Sequence, residues 1–130
     1  MIRILEIRTG ARTQMLDVTA GVKEAVAASG VQEGLCIIYV PHTTAAVTIN
    51  EGADPSVAED ILNRLAQLAP VDAPYHHREG NADAHIKAAL LGPSQVVPVK
   101  DGRLVLGSWQ SVFFCEFDGP RRRRLVVQVV

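Results

Sequence analysis

The sequence predicts an α+β fold in a single domain that spans residues 1–130. Three observations favour this fold class. Runs of strand-like segments are interrupted by about three helical segments, regular β-α-β alternation is lacking, and 130 residues suffice for one hydrophobic core. No linker, low-complexity stretch or internal repeat divides the chain. We therefore expect about three helices that flank a mostly antiparallel sheet.

Short apolar segments rich in β-branched residues predict the strands. They cover residues 2–8, 14–18, 35–40, 45–49, 95–99, 103–106, 110–117 and 125–130. Residues 14–18 are expected to pair with residues 2–8. Asp101-Gly102 is a strong hairpin signal, and Asp118-Gly119-Pro120 predicts a further turn.

Cap residues and helical spacing predict three helices. They cover residues 20–28, the stretch from Pro55 to just before Pro70, and residues 82–91. Their candidate N-caps are Thr19, Asp54 and Asn81. The second helix has an apolar face that comprises Val57, Ile61, Leu65 and Leu68.

Composition narrows the range of partners. The formal net charge of -1 gives no general attraction to nucleic acid or to a membrane, and no apolar run reaches the length of a membrane-spanning helix. Residues 1–8 alternate charged and apolar side chains, unlike a signal peptide. We expect a cytoplasmic protein, in which Cys36 and Cys115 are buried, reduced thiols.

All four histidines lie in the middle third of the chain, and three of them are candidate metal ligands. His42 follows a strand, His77 lies in a loop and His85 lies in the first turn of a helix. If these segments converge, three imidazoles with an open fourth position would form a catalytic metal site of the kind that zinc occupies. The alternatives are a simple strand break at His42 and a core histidine at His85.

Polar residues around these histidines are candidates for chemistry and binding. Thr43 and Thr44 offer hydroxyl groups beside His42. Glu51 has no obvious structural role, so it is a candidate for general acid–base work, whereas Asp54 is expected to cap a helix. The free N–H groups at that helix start could also face an anion.

Four consecutive arginines, residues 121–124, precede the last strand. In a strand, Arg121 and Arg123 face one way and the other two the opposite way. No aromatic platform or basic surplus supports binding to nucleic acid. We expect one or two of these arginines to pair with Glu116 or Asp118, or to bind a small anion. A solvated edge strand is the alternative.

Taken together, these residues resemble the YjbQ-like family, which is also labelled secondary thiamine-phosphate synthase. The resemblance runs in order over nearly the whole chain. It rests on His42-Thr43-Thr44-Ala45, Thr48-Ile49-Asn50-Glu51, Asp54-Pro55, Tyr75-x-His77, Asn81-x-x-Ala84-His85, Leu91-Gly92, Leu106-Gly107-x-Trp109-Gln110 and Glu116-x-Asp118-Gly119-Pro120-Arg121-x-Arg123.

The resemblance implies a bifurcated sheet, a homotrimer, and a histidine-lined pocket near a subunit interface that holds a metal ion or an oxyanion. It implies His42, His77 and His85 as ligands of a divalent metal, with zinc expected, and prefers His77 over His76. The implied catalytic residues are Glu51, Glu116 and Arg121. The implied substrate-binding residues are Thr43, Thr44, Asn50, Trp109 and Arg121.

The activity that the resemblance implies is a weak thiamine-phosphate synthase reaction, which joins a pyrimidine diphosphate to a thiazole phosphate and releases pyrophosphate. A metal and a carboxylate, assisted by Arg121, would suit the departure of pyrophosphate. We therefore expect an enzyme that acts on a small phosphorylated substrate. The alternatives are a non-catalytic homotrimer that binds a small anion or metabolite, and a purely structural trimer.

Overall fold

The computed structural model describes all 130 residues, which form eight β-strands and three α-helices. In chain order the elements are β1 (Ile2–Arg8), β2 (Gln14–Asp17), α1 (Thr19–Ser29), β3 (Glu33–Tyr39), β4 (Ala45–Glu51), α2 (Pro55–Leu68), α3 (Ala82–Leu91), β5 (Ser94–Lys100), β6 (Arg103–Leu104), β7 (Gln110–Glu116) and β8 (Arg122–Val129). The predicted α+β class is confirmed.

The strands form two antiparallel sheets with matching strand order. The five-stranded sheet has the order β1-β8-β3-β5-β6, and the three-stranded sheet has the order β2-β7-β4. Three neighbouring strands of the first sheet, β1, β8 and β3, are each joined directly to a strand of the second sheet. Their partners are β2, β7 and β4, which lie in the same order. The result is one broad sheet that divides into two, as the family resemblance implies.

Two hydrophobic clusters hold these layers together. In the larger cluster, Val22 and Val26 of α1 pack against inward residues of both sheets, such as Ile38 and Phe114. The smaller cluster lies on the other side of the three-stranded sheet, beneath α2 and α3. The outer face of the five-stranded sheet leaves apolar side chains exposed, among them Ile2, Ile4, Leu35, Tyr39 and Val96.

The helix ends largely follow the sequence prediction. The Asp54 carboxylate accepts the N–H of Ser56, which confirms the predicted cap of α2. Gly92 ends α3. At Asp101 and Gly102 both φ angles are positive, at 52° and 73°, as a two-residue hairpin turn requires. None of the three helices combines the length and hydropathy needed to cross a bilayer.

Two local predictions were wrong, and a third was right only in position. Gln14–Asp17 pairs with β7 and not with β1, because residues 9–13 carry the chain into the other sheet. Thr19 is the first residue of α1, and the Asp17 carboxylate accepts its N–H at 2.9 Å. Asn81 occupies the predicted N-cap position of α3, but its side chain makes no cap hydrogen bond, since it bonds elsewhere.

Candidate functional site

Three chain crossings between the sheets meet at one place, which we call the junction. The crossings are residues 9–13, 40–44 and 117–121, each of which links neighbouring strands of the two sheets. Four side chains, those of Thr9, Thr44, Glu116 and Arg123, connect the crossings by hydrogen bonds. All four are buried, so the junction has a rigid polar centre.

Glu116 and Arg123 form the ionic part of this centre. The Glu116 carboxylate accepts the Thr9 hydroxyl at 2.7 Å and Arg123 Nε at 2.9 Å, and its second oxygen accepts Arg123 Nη2 and two backbone N–H groups. Burial alone would raise the pKa of this carboxyl, but these donors together lower it. Glu116 is therefore an anion whose bonding capacity is used internally.

The same Nη2 group of Arg123 also fixes the loop that carries His42. Arg123 Nη2 donates to the Thr44 hydroxyl at 2.8 Å and to the Thr44 carbonyl at 3.3 Å. Thr9 in turn accepts the backbone N–H of Arg121 at 2.9 Å. The buried network thus sets the positions of both His42 and Arg121.

A polar cavity of about 410 Å³ opens at the junction. None of its lining residues is hydrophobic. They are Pro41, His42, Thr43, Thr44, Glu79, Asn81, His85, Asp118, Arg121 and Arg123. Such a lining suits a hydrated, charged ligand and does not suit an apolar one.

His42 enters the cavity as a hydrogen-bond donor. Its Nε2 accepts the backbone N–H of Arg124 at 3.0 Å, so a neutral ring carries its proton on Nδ1. Burial and the nearby Arg123 charge lower the pKa of His42, which favours that neutral ring. Its only lone pair is engaged by the backbone.

Arg121 supplies the accessible charge of the cavity. Its Nε donates to the Asp118 carbonyl at 2.9 Å, and its Nη2 lies 3.3 Å from Asp118 Oδ2. Half of the Arg121 side chain is exposed, so this ion pair is weak and the remaining N–H groups can meet a ligand.

His77 and His85 lie together, and only His85 lines the cavity. Their ring centroids are 5.3 Å apart, and His77 Nε2 is 3.0 Å from Asn81 Oδ1. Asn81 Nδ2 donates to Asp118, which ties this pair to the Arg121 side of the cavity. His76 and His77 both border a neighbouring pocket and not the cavity itself.

The ligand set of His42, His77 and His85 stays a prediction. The structure contains no group of three or more His, Cys, Asp or Glu side chains placed to hold an ion. His42 Nε2 accepts a backbone N–H, so a neutral His42 ring has no free lone pair in this arrangement. His77 and His85 therefore remain a pair.

A second buried ion network positions the start of α3, and with it His85. Asp83 accepts Lys87 Nζ at 2.8 Å and Arg12 Nη2 at 3.0 Å. Burial opposes ionisation of Asp83, but the bond and charge of Lys87, with those of Arg12, lower its pKa. Arg12 thus joins the first crossing to α3.

Asn50, Glu51 and Trp109 lie at the far end of the three-stranded sheet. β4 runs from Ala45, opposite Glu116, to Glu51, opposite Gln110, a length of about 20 Å. The interpretation of Glu51 as a residue without a structural role was wrong, because its carboxylate accepts the N–H groups of Ala53 and Asp54. These three predicted site residues do not reach the cavity of their own chain.

Sequence reasoning missed Thr9 as a member of the junction, and it missed the central place of Arg123 there. Arg123 was expected only as one of four alternating arginines, although the predicted pairing with Glu116 or Asp118 is confirmed for both Arg123 and Arg121. Thr9 gave no signal, since a threonine after a strand is ordinary. Its role depends on Glu116, which is 107 residues away in the chain.

Comparisons with known proteins agree on one family. A family model described as "UPF0047 protein YjbQ-like" matches residues 3–130. A UPF0047 protein of Methanocaldococcus jannaschii is 50% identical over 125 residues, which cover 96% of this chain and 91% of that protein. YugU of Bacillus subtilis is 44% identical over 131 residues, which cover 100% of this chain and 99% of that protein.

Solved structures extend the agreement to the fold. A family member from Clostridium acetobutylicum superposes with a TM-score of 0.97 at 46% identity, covering 98% of this chain and 99% of that one. A structure from Sulfolobus solfataricus, described as a protein of unknown function, gives a TM-score of 0.96 at 35% identity, covering 99% and 95%. The chain therefore belongs to the YjbQ-like UPF0047 family.

Proposed function

We propose that the polar cavity binds a small phosphorylated or otherwise oxyanionic ligand. The observation that carries this proposal is the cavity lining, where Arg121, the His42 ring and the hydroxyl-bearing loop of Thr43 and Thr44 meet with no apolar residue. Arginine suits an oxyanion because its planar fork donates two parallel hydrogen bonds. Thr43 is exposed and can donate its hydroxyl proton to the same group.

Two carboxylates at the cavity, those of Asp118 and Glu79, restrict the ligands that can bind there. Asp118 already accepts from Arg121 and Asn81, and Glu79 projects into solvent. An incoming phosphate competes with Asp118 for Arg121 at the surface, where the existing pair is weak. The proposal is therefore a ligand whose anionic group meets Arg121, with hydroxyl or amino groups facing the carboxylates.

We also propose that the protein converts this ligand and so acts as an enzyme. In a thiamine-phosphate synthase-like transfer, Arg121 would neutralise the departing pyrophosphate, and His42 would donate a hydrogen bond to it. Glu116 would act as a positioning residue, since it is fully buried and its oxygens are bonded internally. The non-catalytic alternative keeps the same contacts and lacks a reaction.

A divalent metal, with zinc expected, remains a prediction. His77 and His85 supply two neighbouring imidazoles, and further ligands would have to come from outside the set predicted from the sequence. Elemental analysis of untagged protein checks this, with about one ion per chain as the expected content of a built site. His85→Ala should remove that ion, whereas His76→Ala should leave it.

We propose a homotrimer as the working form. The apolar outer face of the five-stranded sheet has no covering helix, which supports contact with another copy. A second copy would also explain how Asn50, Glu51 and Trp109 could take part in a cavity that their own chain keeps about 20 Å away.

Anion binding is tested by titrating the protein with inorganic phosphate and pyrophosphate in a calorimeter. Arg121→Ala should weaken phosphate binding at least about tenfold, because a charge-assisted contact is lost. Arg64→Ala is the matched control, since Arg64 is an exposed arginine on α2 away from the cavity. Equal affinity in the wild type, Arg121→Ala and Arg64→Ala would refute the cavity as the binding site.

A further inference from the structure

A second group of arginines lies on the opposite face of β8. Arg122 and Arg124 point outward there, whereas Arg123 points into the core. Arg8 of β1 lies directly across from Arg122, and Glu6 lies across from Arg124. This outer arginine patch, comprising Arg8, Arg122 and Arg124, thus contains three cations and faces one carboxylate.

The backbone pattern brings Arg8 and Arg122 close together. Met1 and Val129 exchange both of their backbone hydrogen bonds, and Thr9 donates to the Arg121 carbonyl. Hydrogen-bonded and non-hydrogen-bonded residue pairs alternate along an antiparallel ladder. Because Met1 and Val129 form a hydrogen-bonded pair, Arg8 and Arg122 form a non-hydrogen-bonded one. Side chains are closest in such pairs, with Cα atoms about 4.5 Å apart.

Neither arginine has a partner in the chain. Both side chains are exposed, and no salt bridge or side-chain hydrogen bond involves either. Like charges directly across a ladder destabilise a sheet. Protection of a sheet edge explains single charges here, because β1 is an edge strand and β3 pairs with β8 only over residues 126–129. It does not explain two like charges placed directly across from each other.

We propose that Arg8 and Arg122 together bind an oxyanion at a site separate from the cavity. Both arginines line a surface pocket of about 310 Å³, together with Glu6 and Ile7. A phosphate or carboxylate there accepts from both guanidinium groups and cancels their repulsion. The Glu6 carboxylate in the same pocket can accept a hydrogen bond from a hydroxyl group of that ligand.

Two molecules could supply the oxyanion that Arg8 and Arg122 bind. One is the phosphate of a free metabolite, and the other is a carboxylate of a second copy of this chain. Both predict that the pair is destabilising when empty and stabilising when filled. The binding of free phosphate and the mass of the assembly distinguish the two sources.

The test uses the full chain with Arg121→Ala, so that the cavity does not contribute. Into this background Arg8→Gln and Arg122→Gln are introduced separately, with Arg103→Gln as the control at an exposed arginine on β6. Melting temperature and phosphate affinity are measured at low salt, where surface charge effects are largest.

For a free phosphate ligand, we expect Arg8→Gln and Arg122→Gln to raise the melting temperature without phosphate and to weaken phosphate binding at least about tenfold. For a carboxylate of a second copy, we expect no phosphate binding in this background and a lower assembly mass in both variants. If both variants match Arg103→Gln in phosphate affinity and in assembly mass, the proposal is overturned. Failure of the cavity proposal would instead show as unchanged phosphate affinity in Arg121→Ala alone.

Discussion

At the scale of single residues, the junction depends on one buried carboxylate. Glu116 accepts from Thr9, Arg123 and two backbone N–H groups, and no oxygen of it remains free for solvent. A buried pair of this kind contributes little net stability over an apolar pair, but breaking it is costly because the remaining charge stays buried. The pair therefore fixes geometry more than it adds stability.

We expect Glu116→Gln to lower the free energy of unfolding by about 3–5 kcal/mol, because Arg123 loses its counter-charge in the core. Folding lowers the pKa of the Glu116 carboxyl. The stabilisation that this carboxylate gives is therefore full above its ordinary pKa of 4.5 and is lost as the pH falls through the lowered pKa. The variant should therefore lose part of the acid sensitivity of the wild type.

Urea unfolding at several pH values measures both effects. Glu59→Gln is the control, since Glu59 is exposed on α2 and takes part in no salt bridge. A cost for Glu116→Gln no larger than that for Glu59→Gln would contradict the positioning role.

At this scale the sequence indicated which residues lie near the junction, but not which of them bond to each other and which face the cavity. His42, Thr44, His85, Glu116 and Arg121 all lie at or beside the junction. Their donors and acceptors depend on crossings that are far apart in the chain, so the sequence could not show that the backbone engages His42. The role of Glu51 was missed because a carboxylate that accepts two neighbouring N–H groups resembles a free one in sequence.

At the scale of elements, the turn between β7 and β8 is the tightest part of the junction. A methyl group on Gly119 would lie 2.8 Å from Glu116 Cγ and 2.9 Å from Thr9 Oγ1. The absence of a side chain there lets the third crossing pass against the first. Residues 117–121 can therefore hold Arg121 at the cavity edge.

Gly119→Ala should destabilise the fold by about 1–3 kcal/mol and weaken phosphate binding, since the methyl group forces the crossings apart. Gly10→Ala is the matched control in the first crossing, where a methyl group meets only Gln14 at ordinary contact distance. Thermal unfolding and calorimetric titration measure the two effects. Equal behaviour of the two variants would show that the crossings tolerate the change.

Most elements were predictable because cap and turn residues act locally. Asp54-Pro55 and Asp101-Gly102 define a helix start and a hairpin whatever surrounds them. The pairing of Gln14–Asp17 was not predictable in this way. Its partner, β7, lies about a hundred residues later, and adjacency in sequence favoured the wrong strand.

At the scale of the whole molecule, the uncovered sheet face predicts an assembly. Ile4 is 53% exposed on this face, although its strand pairs fully with β8. Ile4→Lys should shift the mass in solution from three chains towards one, because it places a charge in the proposed contact. Leu68→Lys, at an apolar residue exposed to 66% at the end of α2, should leave the mass unchanged.

Light scattering coupled to size exclusion measures the mass directly. A wild-type protein with the mass of one chain would contradict the proposed homotrimer. An unchanged mass in Ile4→Lys would place the contact elsewhere. The sequence alone could not give this surface, since the alternation in residues 2–8 left the inward face ambiguous.

The order in which the strands are made has a consequence for synthesis on the ribosome. β1 pairs only with β8, and β2 pairs only with β7, so both early strands lack partners until the last twenty or so residues emerge. At about 5–20 residues per second, they wait for several seconds with unpaired backbone and apolar side chains. We expect this interval, and not the finished protein, to be the period when nascent chains depend most on chaperones.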